Sequence, residues 1–271
     1  MADADLYAQT KAFLIALAWT QPRILAMFVA IPIFNKQLLP GMLRLSIGAA
    51  IGAVAAPALM PAVVSVDLTG AQMLVLITKE AFVGFVLGYM IAIPFWAFEA
   101  IGFLVDNQRG ASIAASLNPL TGNDSSPLGI LFNQAFIVFF FISGGFVLIL
   151  GLLYDSFALW DVFSWSPQFR PSTVPLILDQ LSRLVRIAML LAAPAIVAMF
   201  LAEMGLALVS RFVPQLQVFF MAMPIKSALA MLVLMLYMAT LFEYGKEHLH
   251  ALRDVVPVLN NQWRASPGAV R

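Results

Sequence analysis

Cysteine is absent from this chain of 271 residues, histidine occurs only twice, and charge of either sign is scarce. Without thiols there are no disulfides, no thiolate metal sites and no cysteine nucleophile. The two histidines, His248 and His250, stand near the C-terminal end, where a spacing of two sends them to different faces of a helix. Neither a metal centre nor a histidine-dependent hydrolase is indicated. The chain also lacks a Gly-x-Ser-x-Gly elbow, a His-Glu-x-x-His pair, a P-loop and a dinucleotide fingerprint. No enzyme is expected, and no cofactor is called for. The formal net charge of +1 gives no electrostatic basis for binding nucleic acid.

What remains is apolar. The chain is 62% hydrophobic and 11% charged, with a mean hydropathy of +0.94, whereas a soluble domain carries about 25% charged residues. The apolar residues fall in six blocks, 12–34, 45–66, 73–98, 130–153, 184–209 and 218–242. Each is near or above the roughly 20 residues that a spanning helix needs. The blocks do not alternate with period two, so helices are preferred to a transmembrane barrel. The expected fold is an all-α membrane protein of about six apolar helical segments in kinked hairpins. Residues 1–183 form the N-terminal hairpins, 184–245 a C-terminal hairpin and 246–271 a tail. Asp3 and Asp5 precede the first block where a cleaved signal would carry basic residues. After Tyr244 the tail holds Lys246, Arg253, Arg264 and Arg271 against Glu247 and Asp254, which places the C-terminus in the cytoplasm.

Helix breakers and small residues mark several blocks. Pro22-Arg23, Pro94, Pro194 and Pro224-Ile225-Lys226 lie in or near spans. A proline frees a carbonyl that neighbouring protein must satisfy in lipid, so these helices are expected to be covered by protein. Gly48 and Gly52 form one pair four apart and Gly84 and Gly88 another, each allowing close approach of a second helix. Glu80 lies four residues before Gly84 and so shares its face.

Charges inside or beside bilayer-length segments cost about 2.5–3.5 kcal/mol each on insertion scales, and such residues are kept for a job. Lys79 and Glu80 are adjacent; Glu99, Gly102, Asp106 and Arg109 follow at intervals of three, four and three. A helix running on from Met73 to Gly110 makes these four one stripe, and Asp106 and Arg109 can pair. Glu99 then needs a partner on another helix or subunit, or a proton. If the helix instead leaves the membrane near Phe98, Asp106 and Arg109 are ordinary solvated residues. Arg186 is close enough to a helix end to snorkel. Glu203 and Lys226 are roughly equidistant from the turn between the last two blocks and can form an ion pair that fixes register. A relay of protons through Glu80, Glu99 and Asp106 for a small solute is the alternative reading, although the paired broken helices of such transporters are not evident.

Four ordered motifs resemble the SctT/FliR family of type III secretion export-gate subunits, with the virulence branch favoured over the flagellar one. They are Lys79-Glu80 with Gly84 and Gly88, and Pro94-Phe95-Trp96 with Glu99, Gly102, Asp106 and Gln108-Arg109-Gly110. The third is Asn118-Pro119-Leu120-Thr121-Gly122 leading to Ser125-Ser126-Pro127-Leu128-Gly129. The last is Arg211-Phe212-Val213-Pro214-Gln215-Leu216-Gln217-Val218-Phe219 followed by Met223-Pro224-Ile225-Lys226-Ser227. Gln217 stands where the family usually has asparagine. The resemblance implies a subunit of an export gate in the bacterial inner membrane, one that passes unfolded exported proteins. Its implied neighbours are SctR/FliP-type and SctS/FliQ-type subunits, with an SctU/FlhB-type subunit alongside, and the C-terminal hairpin should resemble the smaller of the first two. It also implies a plug for the closed conduit at 110–124, including Gly110, Ser112, Ser116, Asn118, Pro119 and Gly122. The small side chains and turn residues of that segment suit a narrow pore. Lys79, Glu80, Gly84, Gly88, Glu99, Asp106, Arg109, Glu203 and Lys226 are assigned to subunit packing and intramembrane charge.

Overall fold

A computed structural model describes residues 2–35, 39–66, 68–110, 126–164, 173–212 and 218–263. The described residues are helical throughout apart from short joints. In chain order the helices are α1 (Ala2–Ala30), α2 (Gly41–Ser65), α3 (Gly70–Arg109), α4 (Pro127–Ile142), α5 (Gly145–Leu159), α6 (Thr173–Phe212), α7 (Val218–Ala251) and α8 (Val255–Trp263). Single turns at Pro32–Phe34 and Leu252–Asp254 punctuate them. This is an all-α membrane protein. Among the described residues five helices are long and apolar enough to span a bilayer, or six when α4 and α5 together count as one.

Several helices outrun the apolar blocks that announce them, α1 beginning ten residues early at Ala2. α3 continues past Phe98 to Arg109, α6 starts at Thr173, well before its block, and α7 runs on to Ala251. The block at 130–153, expected as one span, is broken. Ser143 ends α4 with its N–H donated to Phe139 O, and Gly144 takes the left-handed conformation at φ 75° before α5 begins at Gly145. That conformation is open to glycine and strained for other residues. A Ser-Gly-Gly run inside an apolar stretch was the available signal.

The chain forms two compact units. The first comprises residues 1–92, 144–178 and 251–271. In it α1 packs along α2, where a methyl group at Gly52 would overlap Thr20 and stand 2.7 Å from Gln21 Nε2. Ala16, Trp19, Ala56, Leu59, Leu76 and Val162 form a buried apolar cluster there. At the C-terminal end, the Trp263 ring lies 4.6 Å from that of Trp160, and its indole N–H donates to Thr173 Oγ1 at 3.0 Å.

The second unit comprises residues 93–143 and 179–250. Its core is phenylalanine: Phe98 stacks on Phe136 at 4.2 Å, Phe95 meets Phe136 edge-on at 4.9 Å, and Phe242 of α7 lies against Phe98 and Phe139. Such aromatic pairs add about 0.5–1.5 kcal/mol each beyond the area they bury. Gly245 admits these rings, since a methyl group there would stand 3.0 Å from both Phe98 and Phe136. Among the long apolar helices α3 is the most buried, with 72% of its most apolar window buried, against 33% in α6 and 17% in α7. The latter two expose large apolar side chains such as Leu201, Leu208, Met235 and Leu236, as surfaces facing lipid or other apolar protein do.

Candidate functional site

α3 carries most of the charges singled out by the sequence, and it places them in two settings. In the first unit, Gly84 and Gly88 leave room for α1. A methyl group at Gly84 would overlap the Arg23 carbonyl, and one at Gly88 would stand 2.5 Å from Met27 O. This contact brings Arg23 onto Glu80. The guanidinium grips the carboxylate with two hydrogen bonds, Nε to Oε2 at 2.7 Å and Nη2 to Oε1 at 2.9 Å, and neither side chain has any solvent exposure. Lys79 completes the knot, with Nζ 2.9 Å from Glu80 Oε1.

Two buried cations against one anion leave an excess positive charge, and the end of α5 answers it. Arg23 donates to Ser156 Oγ at 3.1 Å and to Trp160 O at 2.9 Å, while its guanidinium carbon sits 4.2 Å over the Phe157 ring. Lys79 Nζ donates to the carbonyls of Asp161, Val162 and Ser164 at 2.9–3.0 Å. Both cations thus stand at the negative end of the α5 dipole and satisfy carbonyls beyond its last turn. The adjacent residues Lys79 and Glu80, Glu80 sharing a face with Gly84, and Arg23 beside Pro22 were all visible in the sequence. The pairing of Arg23 with Glu80, and the supporting roles of Ser156 and Trp160, were not.

In the second unit the helix runs unbroken through Glu99, Gly102, Asp106 and Arg109, so the four form a single stripe, and that stripe faces α4. Glu99 Oε2 accepts from Asn133 Nδ2 at 2.8 Å. A methyl group at Gly102 would collide with the backbone of Leu128 and Gly129, its distance to Leu128 O being 2.5 Å. Asp106 is buried and has three kinds of donor around it. Arg109 reaches Oδ1 through Nε and Nη2 at 2.7 Å each, Ser126 Oγ donates to Oδ2 at 2.5 Å, and the Leu128 amide donates to Oδ2 at 2.9 Å.

The start of α4 explains why that geometry holds. Ser126 is its N-cap and accepts from the Gly129 amide at 2.8 Å, while Pro127 occupies the first helical position, where no N–H is needed. Asp106 takes the next free amide, and its charge suits the positive end of the α4 dipole. At the other end of the stripe α3 stops at Gly110, which has φ 84° and donates its N–H to Asn107 O at 3.2 Å. One carboxylate therefore holds both edges of the segment 111–125. Ser112, Ser116, Asn118, Pro119 and Gly122 lie outside the described residues.

Lys226 Nζ of α7 stands 2.9 Å from Glu203 Oε2 of α6. This pair is lopsided: the Lys226 side chain is 11% exposed and that of Glu203 49% exposed. Among the described residues no group of three or more histidines and acids could hold a metal ion. The chemistry on offer is electrostatic and mechanical: buried charges that fix helix crossings, and stems that bracket a polar, small-residue segment.

Residues 14–252 match the family described as bacterial export proteins, family 1. The chain is 41% identical over 243 residues to the Yop proteins translocation protein T of Yersinia pestis, covering 88% of this chain and 91% of that protein. It is 34% identical to the secretion system apparatus protein SsaT of Salmonella typhimurium, over 69% of this chain and 71% of the relative. The flagellar biosynthetic protein FliR of Bacillus subtilis shares 29% identity over 81% of this chain and 85% of its own length.

Proposed function

This chain belongs to family 1 of the bacterial export proteins, the FliR/SctT family, and on that premise we propose that it is a type III secretion export-gate subunit that helps to form and close the conduit for unfolded exported proteins. Identities to the Yop translocation protein and to SsaT exceed the identity to FliR, which supports a virulence-type apparatus rather than a flagellar one. The chain acts in the inner membrane with its C-terminus in the cytoplasm, beside SctR/FliP-type, SctS/FliQ-type and SctU/FlhB-type subunits. Its role is structural and gating, with no catalysis.

The observation that carries the closing role is the double hold of Asp106. A plug must leave its place without dismantling the core, and low-stability segments on rigid stems have that property. Asp106 and Arg109 end one stem, Ser126 and Leu128 begin the other, and all of them meet at one carboxylate. Between them lie Ser112, Ser116, Asn118, Pro119 and Gly122, small or turn-forming residues suited to filling a narrow passage. Lys79, Glu80, Gly84 and Gly88 serve subunit packing through the crossing of α1 and α3 that they fix, and Glu203 and Lys226 do the same for the last two long helices.

The test is to shorten Ser112–Leu120 in the assembled complex and measure membrane conductance. The closing role predicts ion leakage with assembly intact. Unchanged conductance in a normally assembled complex would refute it and leave the subunit as a scaffold.

A further inference from the structure

The second unit carries a charged pocket that takes no part in the sites above. It has a volume of about 380 Å³ and lies between the first half of α6 and the last turns of α7, within the range of about 300–1,000 Å³ usual for ligand sites. Arg183 and Arg186 line it from α6, and Tyr244 and His248 face them from α7. Neither guanidinium has an ion-pair or hydrogen-bond partner among the described residues. The nearest acid in the lining, Asp179, stands one helical turn before Arg183 and forms no ion pair with it. Both arginines are exposed, and two guanidiniums on one wall beside an imidazole make a positive patch that favours an anion.

The other wall selects the kind of anion. Ile187 and Leu191 are buried at 8% and 1% exposure, and they floor the pocket on its apolar side next to the exposed Leu190. The pocket also sits where polarity changes along both helices. The apolar block of α6 begins at 184 and that of α7 ends at 242, so the cations lie at the water-facing limit of the apolar span. Lys246 lies on the same end of α7. Basic pockets between membrane helices on the cytoplasmic side are suited to anionic lipid headgroups, and arginine matches a phosphate with parallel hydrogen bonds.

We propose that Arg183, Arg186, Tyr244 and His248 form a headgroup site for an anionic phospholipid, whose acyl chains lie along the apolar surface of α6 below Ile187. A free phosphate would satisfy the cations but would leave the apolar floor unused.

Native mass spectrometry of the full chain in neutral detergent, titrated with phosphatidylglycerol, phosphatidylcholine and inorganic phosphate, tests this. Phosphatidylglycerol should give discrete one-lipid adducts and phosphatidylcholine much weaker ones. The double variant R183Q/R186Q should lower phosphatidylglycerol affinity about thirtyfold, equivalent to about 2 kcal/mol, while R253Q, exposed and outside the pocket, should leave it unchanged. Should the double variant lose its cooperative thermal transition, R186Q alone, at an exposed position, should show about a fivefold loss. Equal binding of the two lipids, saturation by inorganic phosphate alone, or equal losses in R253Q and R183Q/R186Q would each overturn the assignment.

Discussion

Replacing Glu80 by alanine should damage this protein more than any other single change in the Arg23–Glu80–Lys79 knot, and the reason is a charge count. Glu80 and Arg23 have no exposure and Lys79 is nearly buried. Removing Glu80 leaves two cations together away from water, and uncompensated burial of this kind costs about 3–5 kcal/mol. Replacing Arg23 by methionine leaves Lys79 paired with Glu80 at 2.9 Å. Its loss is then the bidentate grip, the bonds to Ser156 and Trp160 and the contact with Phe157, about 2–3 kcal/mol. Replacing Lys79 by methionine keeps the Arg23–Glu80 pair whole and forfeits bonds to three carbonyls, about 1–2 kcal/mol. The assay is thermal unfolding of the purified chain followed by tryptophan emission, with Trp160 reporting locally because its carbonyl binds Arg23. At about 2–4 °C per kcal/mol, E80A should lower the midpoint by about 10 °C and K79M by about a third of that. A fall of less than about 3 °C in E80A, or an equal fall in K79M, would refute the view that charge balance holds the knot.

Other changes should separate the contributions of neighbouring features. Gly84→Val should destabilise by about 1–3 kcal/mol because the Arg23 carbonyl must move, whereas Gly151→Ala, with open space around it, should leave the melting midpoint within about 1 °C of wild type. Asp106→Ala should speed hydrogen exchange of the Leu128 and Gly129 amides about tenfold or more by freeing the start of α4; unchanged exchange would show that Ser126 alone suffices. Lys226→Met should cost less than about 1 kcal/mol in the same melt, because half of Glu203 is already exposed, and a loss as large as that of E80A would contradict this.

Much of this architecture was legible in the sequence, and the reasons differ by feature. The apolar blocks announce the helices because a bilayer imposes length and composition together. The intervals of Glu99, Gly102, Asp106 and Arg109 announce a stripe because helical periodicity is a local rule. The extension of α3, α6 and α7 beyond their blocks was harder to see, since hydropathy falls where the bilayer ends while the hydrogen-bonded helix goes on. The break at Ser143-Gly144 was hidden inside strong apolarity. Partners were least legible. Glu80 demands a cation, yet nothing in its neighbourhood chooses Arg23, which lies 57 residues away. Asn133 as the partner of Glu99 and Ser126 as that of Asp106 pose the same problem, since both depend on how α4 crosses α3.

The wide spacing of the knot also sets an order of events during synthesis. Arg23 enters the membrane 57 residues ahead of Glu80 and 133 ahead of Ser156, and the carbonyls that receive Lys79 follow it by 82 to 85 residues. A lone arginine at the centre of a span carries an insertion penalty of about 2.5–3.5 kcal/mol, and Arg23, seven residues from the end of α1, still bears part of that cost. α1 is therefore stabilised once α3 brings the carboxylate, and again when α5 is complete. α1 is thus settled only after later helices have joined it, and a chain truncated before Glu80 leaves Arg23 without its carboxylate.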